Sequence, residues 1–371
     1  MSFYDEYVKV KHYPFDDFFS TITTQDVRRV LQKERLHTED FLILLSPAAE
    51  NCLEEMAQKA HQRTVQYFGR TIQLYAPLYL TDYCVNKCTY CSFSIDNDFP
   101  RRKLTLAEIE EESKALVKMG LRHIILLTGE SRLHSSVDYL CETIDVMKKY
   151  FSSLSIEIQP LDTEEYQTLV ARGIDGLTVY QEVYNEEIYK QHHLKGPKRN
   201  YRYRLDAPER GAKAGMRSVN IGALLGMDEW RKEVFFTGLH AHYLQRNYLE
   251  TDIALSFPRI RPNLGGFQPK VDVSDKNLVQ AMLASRLFLP RAGMTLSTRE
   301  SAELRRHLLP LGVTKMSASS STVVGGYANK EHTHSQFEIS DKRSVAEVKE
   351  SLRELGYQPV VKDWEILTHS S

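Results

Sequence analysis

From Thr71 to Ser317 the hydrophobic positions of the chain switch between two periods. Short runs with apolar residues at every second position are separated by longer stretches where they recur every three to four, the mark of strands alternating with helices in parallel βαβ units. The strand runs fall at Ile72–Leu80, His123–Leu127, Leu154–Gln159, Leu177–Gln181, Val219–Leu225, Ile253–Phe257, Met294–Ser297 and Lys315–Ser317. The helix after the first run opens at Thr105-Leu106-Ala107-Glu108, a capping box, with Ile109, Leu116 and Val117 on one face. Eight such units in roughly 250 residues predict an α/β fold of the (β/α)8 barrel type over residues 72–324, with an open doubly wound sheet as the alternative.

Residues 1–71 carry no strand-like run and predict an N-terminal helical extension. Its apolar run Asp40–Leu45 stops at Ser46-Pro47, and a second helix over about 57–68 leads into the first strand. This extension is expected to pack on the barrel rather than to form its own domain. Beyond 324, Gly325-Gly326-Tyr327 breaks the pattern, and residues 325–371 are expected to form a C-terminal tail covering one end of the barrel, with a helix around Ser344–Leu355. His332 and His334 read as exposed tail residues rather than ligands.

Alternation within the strands says what the barrel encloses. On the third run Leu154, Ile156 and Ile158 alternate with Ser155, Glu157 and Gln159, so one face packs on helices and the polar face points inward. The same parity turns Tyr79, Tyr180, Glu182, Thr295, Ser297, Arg299, Ser317 and Ser319 inward. A packed barrel core is usually Val, Ile and Leu, and buried polar groups are costly without partners. The upper barrel is therefore expected to be a ligand chamber.

Composition narrows the class. With 371 residues and 42% hydrophobic content the chain can bury a large core, and its net charge of −1 gives no global reason to expect nucleic acid or an anionic membrane as partner. No apolar run approaches the roughly 18 residues of a membrane span. The N-terminal stretch has acidic residues and no apolar segment of the secretory kind. Five cysteines, an odd number, point to a reducing cytoplasm rather than a disulfide framework.

Three of those cysteines, Cys84, Cys88 and Cys91, fall in a C-x3-C-x2-C spacing just after the first strand, with Tyr90 before the last. Thiolates suit iron–sulfur clusters and zinc. A structural zinc site normally closes four ligands, and here the next histidine is His123 while Cys52 and Cys141 stand alone. Three thiolates on a four-iron cluster leave one iron open for chemistry.

The spacing resembles the cluster motif of radical S-adenosylmethionine (SAM) enzymes. The blocks LLTGE (126–130), IEIQP (156–160), YQE (180–182), GALLGM (222–227), STRE (297–300) and MSAS (316–319) are similar, in order, to the aromatic amino acid lyase branch, and most nearly to the tyrosine lyases (2-iminoacetate synthases) of thiamine biosynthesis. The resemblance runs from about His37 to Tyr327. It implies one 4Fe-4S cluster on Cys84, Cys88 and Cys91, with SAM on the open iron and reduced to give a 5′-deoxyadenosyl radical. It further implies Glu130 as acceptor for the SAM amino group, Glu157 at ribose or sulfonium, Arg204 (in Tyr201-x-x-Arg204-Leu205-Asp206) at the SAM carboxylate, and Tyr90 and Gly222 among the cofactor contacts. For the substrate it implies Arg299 and Ser317 at the carboxylate of L-tyrosine and Tyr79 beside it. A planar guanidinium suits such a two-point clamp. The phenol of the substrate calls for a polar partner such as Glu182, Tyr180 or a histidine.

The implied reaction breaks the Cα–Cβ bond of tyrosine to 2-iminoacetate (dehydroglycine) and p-cresol, with thiazole synthase and a low-potential donor such as flavodoxin or ferredoxin as partners. Two departures from the pattern stand out. Ser319 follows Ala318 where relatives commonly show glycine, and no cysteine follows Cys141, so the second cluster of the related hydrogenase maturase is not expected. The alternatives are a tryptophan lyase of the same branch and an iron–sulfur or zinc RNA-binding protein using the basic, aromatic run Lys195–Arg204.

Overall fold

The computed structural model describes residues 2–329 and 334–362. Eight strands, β1 (Thr71–Thr81), β2 (His123–Thr128), β3 (Ser153–Glu157), β4 (Ile174–Glu182), β5 (Ser218–Ala223), β6 (Asp252–Ser256), β7 (Gly293–Leu296) and β8 (Lys315–Ser317), pair in parallel in chain order. The sheet closes where β8 returns to β1, with Gln73 opposite Lys315, Leu74 opposite Met316 and Tyr75 opposite Ser317. This closure makes the molecule the expected (β/α)8 barrel and rules out the open sheet. The capping box is present: Thr105 starts helix Leu106–Lys118, and Glu108 accepts the Thr105 N–H at 2.7 Å.

The N-terminal segment is helical as its pattern predicts, with helices Phe3–Val10, Phe15–Thr21, Thr24–Leu31, Thr38–Leu44 and Leu53–Phe68. Pro47 ends the fourth of these and opens a short 3-10 turn, Pro47–Cys52, where its missing N–H does no harm. Phe41 stacks on Phe288 at 4.6 Å, Phe3 stacks on His240 at 4.1 Å, and the Tyr7 hydroxyl donates to the Tyr184 carbonyl at 2.7 Å. The segment thus shares one continuous core with the barrel helices Trp230–Asn247 and Asp275–Phe288.

The tail touches both ends of the barrel. A ninth strand, β9 (Gln358–Val360), which the sequence pattern did not predict, pairs with the first residues of β1, and helix Val345–Glu354 precedes it. At the C-terminal mouth the backbone of Gln336 donates to Thr322 at 2.9 Å and that of Ser340 to Thr298 at 2.9 Å. The buried Arg305 bonds both the Asp341 carboxylate and the Ser317 carbonyl, which ties this strap to β8. His332 lies outside the described residues. His334, expected to be exposed, is half-buried because the strap sets its ring 5.0 Å from Phe99.

Candidate active site

The barrel interior is not filled. A cavity of about 350 Å³ runs along it, and its wall carries the inward polar positions: Tyr79, Ser155, Glu157, Tyr180, Thr295, Ser297, Arg299 and Ser317. The strap adds Gln336 and Phe337 to the same wall. Three inward-read residues do not line it: Glu182 turns to a charge network and Ser319 lies past β8, while β3 ends before Gln159, whose amide donates to the Ser135 carbonyl at 2.9 Å. The hydroxyl of Ser320, also on the wall, has no partner among the described residues and is available to a bound polar group.

The three cysteines lie on the loop that follows β1, at the end of the barrel where active sites of this fold sit. Arg101 holds that loop shut, donating to the carbonyls of Asp82 (2.7 Å), Phe93 (2.8 Å), Ser94 (2.7 Å) and Asn97 (3.1 Å). A two-residue strand, Lys87–Cys88, pairs with His193–Lys195 and brings the segment after β4 across the loop. Gly196 makes that approach possible: its φ is +88°, and a Cβ there would sit 2.2 Å from Asn86 Oδ1. Burial pushes the Cys84 and Cys88 thiols up and Cys91 to about 11, and Cys88 and Cys91 also feel the charge of neighbouring thiols. Such thiols give up their protons on binding metal. Among the described residues no three Cys, His, Asp or Glu side chains converge on a single ion position. A 4Fe-4S cluster does not ask for convergence, since each thiolate takes its own iron, so the donor set fits it.

Beside the loop lies a buried charge network. Arg204 donates to Glu130 at 2.9 Å, to Glu182 at 3.2 Å and to the Tyr180 carbonyl at 2.7 Å, while Lys198 reaches Glu182 at 2.8 Å. Asn86 donates to the second oxygen of Glu130 at 2.7 Å. Burial works to raise the Glu182 carboxyl, but Lys198 and Arg204 outweigh it and hold the group below its usual range. Glu182 takes φ +71°, unusual for a residue with a Cβ, at a register shift between Tyr180 and Glu182. The irregularity lets β4 turn Tyr180 into the cavity and Glu182 toward the network. Tyr90 closes this side: its hydroxyl donates to His193 Nε2 at 2.7 Å, because Nδ1 must carry the proton it gives the Tyr189 carbonyl at 2.7 Å. The run Lys195–Arg204 is therefore not a continuous basic surface, since Lys198 and Arg204 point inward.

Further along the cavity, Arg299 lies 3.5 Å over the Phe337 ring and has no carboxylate partner among the described residues. Glu300, its neighbour, is taken by Arg259 and by Arg261 (2.7 Å). Ser317 accepts the Thr298 N–H at 3.0 Å. Tyr79 donates to Gln336 at 2.7 Å, and Gln336 in turn reaches Cys91 Sγ at 3.9 Å. Of the groups considered for the substrate phenol, Glu182 is engaged in the charge network, while Tyr180 lines the cavity. Gly222 has a reason within the fold: a Cβ there would meet the Ser256 carbonyl at 2.2 Å, so β5 and β6 pair only over a bare Cα. Ser319, where relatives commonly show glycine, takes φ +52°, the conformation glycine adopts without strain.

Glu157 lines the cavity, half-buried, with Arg299 and Glu182 in electrostatic reach. Burial first, then the charge of Glu182, pushes its carboxyl up to about 7 from 4.5. Between those values the native state holds a proton that the unfolded chain has lost, so this group's contribution to stability falls as pH rises. Glu157→Gln removes it. In denaturant unfolding without SAM, the variant is expected to gain on the parent between about pH 5 and about pH 8. An unchanged difference would mean that Glu157 titrates as a solvated carboxylate.

Sequence pattern missed Arg101, Asn86, Lys198, His193 and Gln336. Lys198 lies in the basic run, and an inward turn within it leaves no periodic trace. Gln336 comes from the tail, where nothing in the pattern marks a wall residue.

Residues 78–237 match the family model described as the radical SAM superfamily, and residues 256–358 the model of the biotin and thiamin synthesis associated domain. The 2-iminoacetate synthases of Salmonella typhimurium and Escherichia coli are each 42% identical over 344 residues, 92% of this chain and 91% of the relative. The 3-methylornithine synthase of Methanosarcina barkeri is 26% identical over 76% of this chain and 82% of its own. The X-ray structure of an FeFe-hydrogenase maturase from Carboxydothermus hydrogenoformans superposes with a TM-score of 0.85 at 33% identity, over 97% of this chain and 82% of that one.

Proposed function

The chain belongs to the 2-iminoacetate synthase family of radical SAM enzymes, and we infer from that membership that it cleaves the Cα–Cβ bond of L-tyrosine to 2-iminoacetate and p-cresol for the thiazole moiety of thiamine. The identity of 42% over 92% of the chain carries this reading. When bound, the 4Fe-4S cluster and SAM supply the radical that takes a hydrogen atom from the substrate.

The chain's own residues bind, orient and shield. Cys84, Cys88 and Cys91 hold the cluster. Glu130 takes the SAM amino group and Arg204 its carboxylate; the two are already ion-paired, so a zwitterion meets matched charges that the fold holds ready. Glu157, Tyr90 and Gly222 serve the adenosine side. Arg299, on the cavity wall and without a carboxylate partner among the described residues, clamps the carboxylate of tyrosine with Ser317 beside it, and Tyr79 lines the approach. The strap over the mouth keeps water from the reacting atoms. In this reading residues 1–71 are a supporting extension, 72–324 the catalytic barrel and 325–371 a covering tail. The enzyme works in the cytoplasm with flavodoxin or ferredoxin as donor and thiazole synthase as acceptor. No helix among the described residues is long and apolar enough to cross a membrane.

The anaerobically reconstituted protein, given SAM, reductant and tyrosine, is expected to form p-cresol in step with 5′-deoxyadenosine. SAM cleavage without p-cresol from tyrosine, or an indole-derived acid from tryptophan, would overturn the substrate.

A further inference from the structure

The strap that crosses the mouth of the barrel brings one side chain to the cluster loop. Gln336 donates its amide N–H to Cys91 Sγ at 3.9 Å and accepts the Tyr79 hydroxyl on its amide oxygen at 2.7 Å. Once Cys91 binds metal this orientation of the amide is forced, because a thiolate only accepts and the NH2 end must face it. Tyr79 is then left with the oxygen and must donate. Thr322 pins the strap at this point. Its carbonyl accepts the Gln336 N–H at 2.9 Å, and its hydroxyl donates to the Phe337 carbonyl at 2.9 Å. Gln336 is half-buried and lines the cavity with Tyr79, whose ring packs edge-on to Phe93, two residues past Cys91. The backbone of Phe93 hydrogen-bonds Cys91 as well, a contact that substitution at position 336 leaves in place.

A hydrogen bond to a cluster thiolate is stronger in the reduced state, which carries one more negative charge spread over iron and sulfur. The donor therefore favours reduction. Resting on the reading of Cys91 as a cluster ligand, we propose that Gln336 is a positioning residue that raises the reduction potential of the cluster and ties it, through the Tyr79 hydroxyl, to the substrate cavity. The amide faces both ways: its oxygen is held from the cavity side and its N–H points at the sulfur. Loss of the Tyr79 hydroxyl frees the amide to turn and weakens its hold on Cys91.

The test is a redox titration of the cluster-loaded full chain without SAM, followed by electron paramagnetic resonance. Gln336→Met keeps the length of the side chain but has no N–H. Its cluster is expected to hold the parent's iron content and to be about three- to tenfold harder to reduce, a downward shift of up to about 59 mV for a one-electron couple. Gln336→Glu turns a carboxylate oxygen toward the sulfur and should lower the potential at least as far. Tyr79→Phe is expected to shift it the same way by less, and the double variant no further than Gln336→Met alone. A parent with a 4Fe-4S signal and both position-336 variants at the parent's potential would overturn the proposal while leaving the cluster reading intact. Additive shifts in the double variant would break the link through the amide. A parent that holds no reducible cluster would remove the cluster reading and the proposal together.

Discussion

Methionine in place of Arg204 is expected to cost the fold about 3–5 kcal/mol, because removing one partner of a buried ion pair strands the other. Here two carboxylates are stranded. Glu130 keeps only Asn86 and Glu182 only Lys198, and the Tyr180 carbonyl loses its donor. SAM-dependent chemistry is expected to vanish as well, since the proposed partner of the SAM carboxylate is gone. Arg204→Lys keeps the charge but not the fork that serves three acceptors at once, so it restores part of the stability and little of the activity. Denaturant unfolding and 5′-deoxyadenosine formation check the two halves separately. A methionine variant as stable as the parent would mean that the network is not held by this arginine.

Arg299 is expected to behave in the opposite way. It is half-buried on the cavity wall without a carboxylate partner among the described residues, and desolvation lowers its pKa below the usual arginine value. Removing an uncompensated, desolvated charge relieves the fold, so Arg299→Met should be as stable as the parent or more so. Its substrate clamp, a charge-assisted two-point contact, is lost. At about 3–4 kcal/mol for such a contact, kcat/KM for tyrosine should fall by roughly 10²–10³, mostly through KM. SAM binding should persist. A large loss of stability in Arg299→Met, with KM unchanged, would make Arg299 a structural residue. The pair of variants separates a charge that the fold needs from one kept for a ligand.

Much of the barrel was legible because closed parallel strands impose a period of two on their side chains. Ser155 and Glu157 against Leu154 and Ile156 gave the inner face of β3 directly, and the cysteine spacing placed the loop chemistry. Strand ends were less legible. The fourth run reads from Leu177, yet β4 begins at Ile174, since pairing with β3 and β5 carries the strand through Asp175 and Gly176. Gln159 obeyed the alternation but lay past the end of its strand.

The charge network was half legible. Glu130 and Arg204 were found as separate partners for SAM, and nothing in the sequence says that residues 74 positions apart meet at 2.9 Å. Gly222 shows a further limit: family likeness points to a ligand, while the structure shows that the glycine is also needed between β5 and β6. The serine at 319 takes the left-handed backbone that glycine adopts without strain.

Electron paramagnetic resonance of the anaerobically reconstituted, dithionite-reduced protein, recorded with and without SAM, tests the central claim most directly. A reduced 4Fe-4S signal that changes when SAM is added, and that is absent from Cys88→Ala, is the predicted result. A protein that retains only zinc, or a cluster signal indifferent to SAM, would contradict the account.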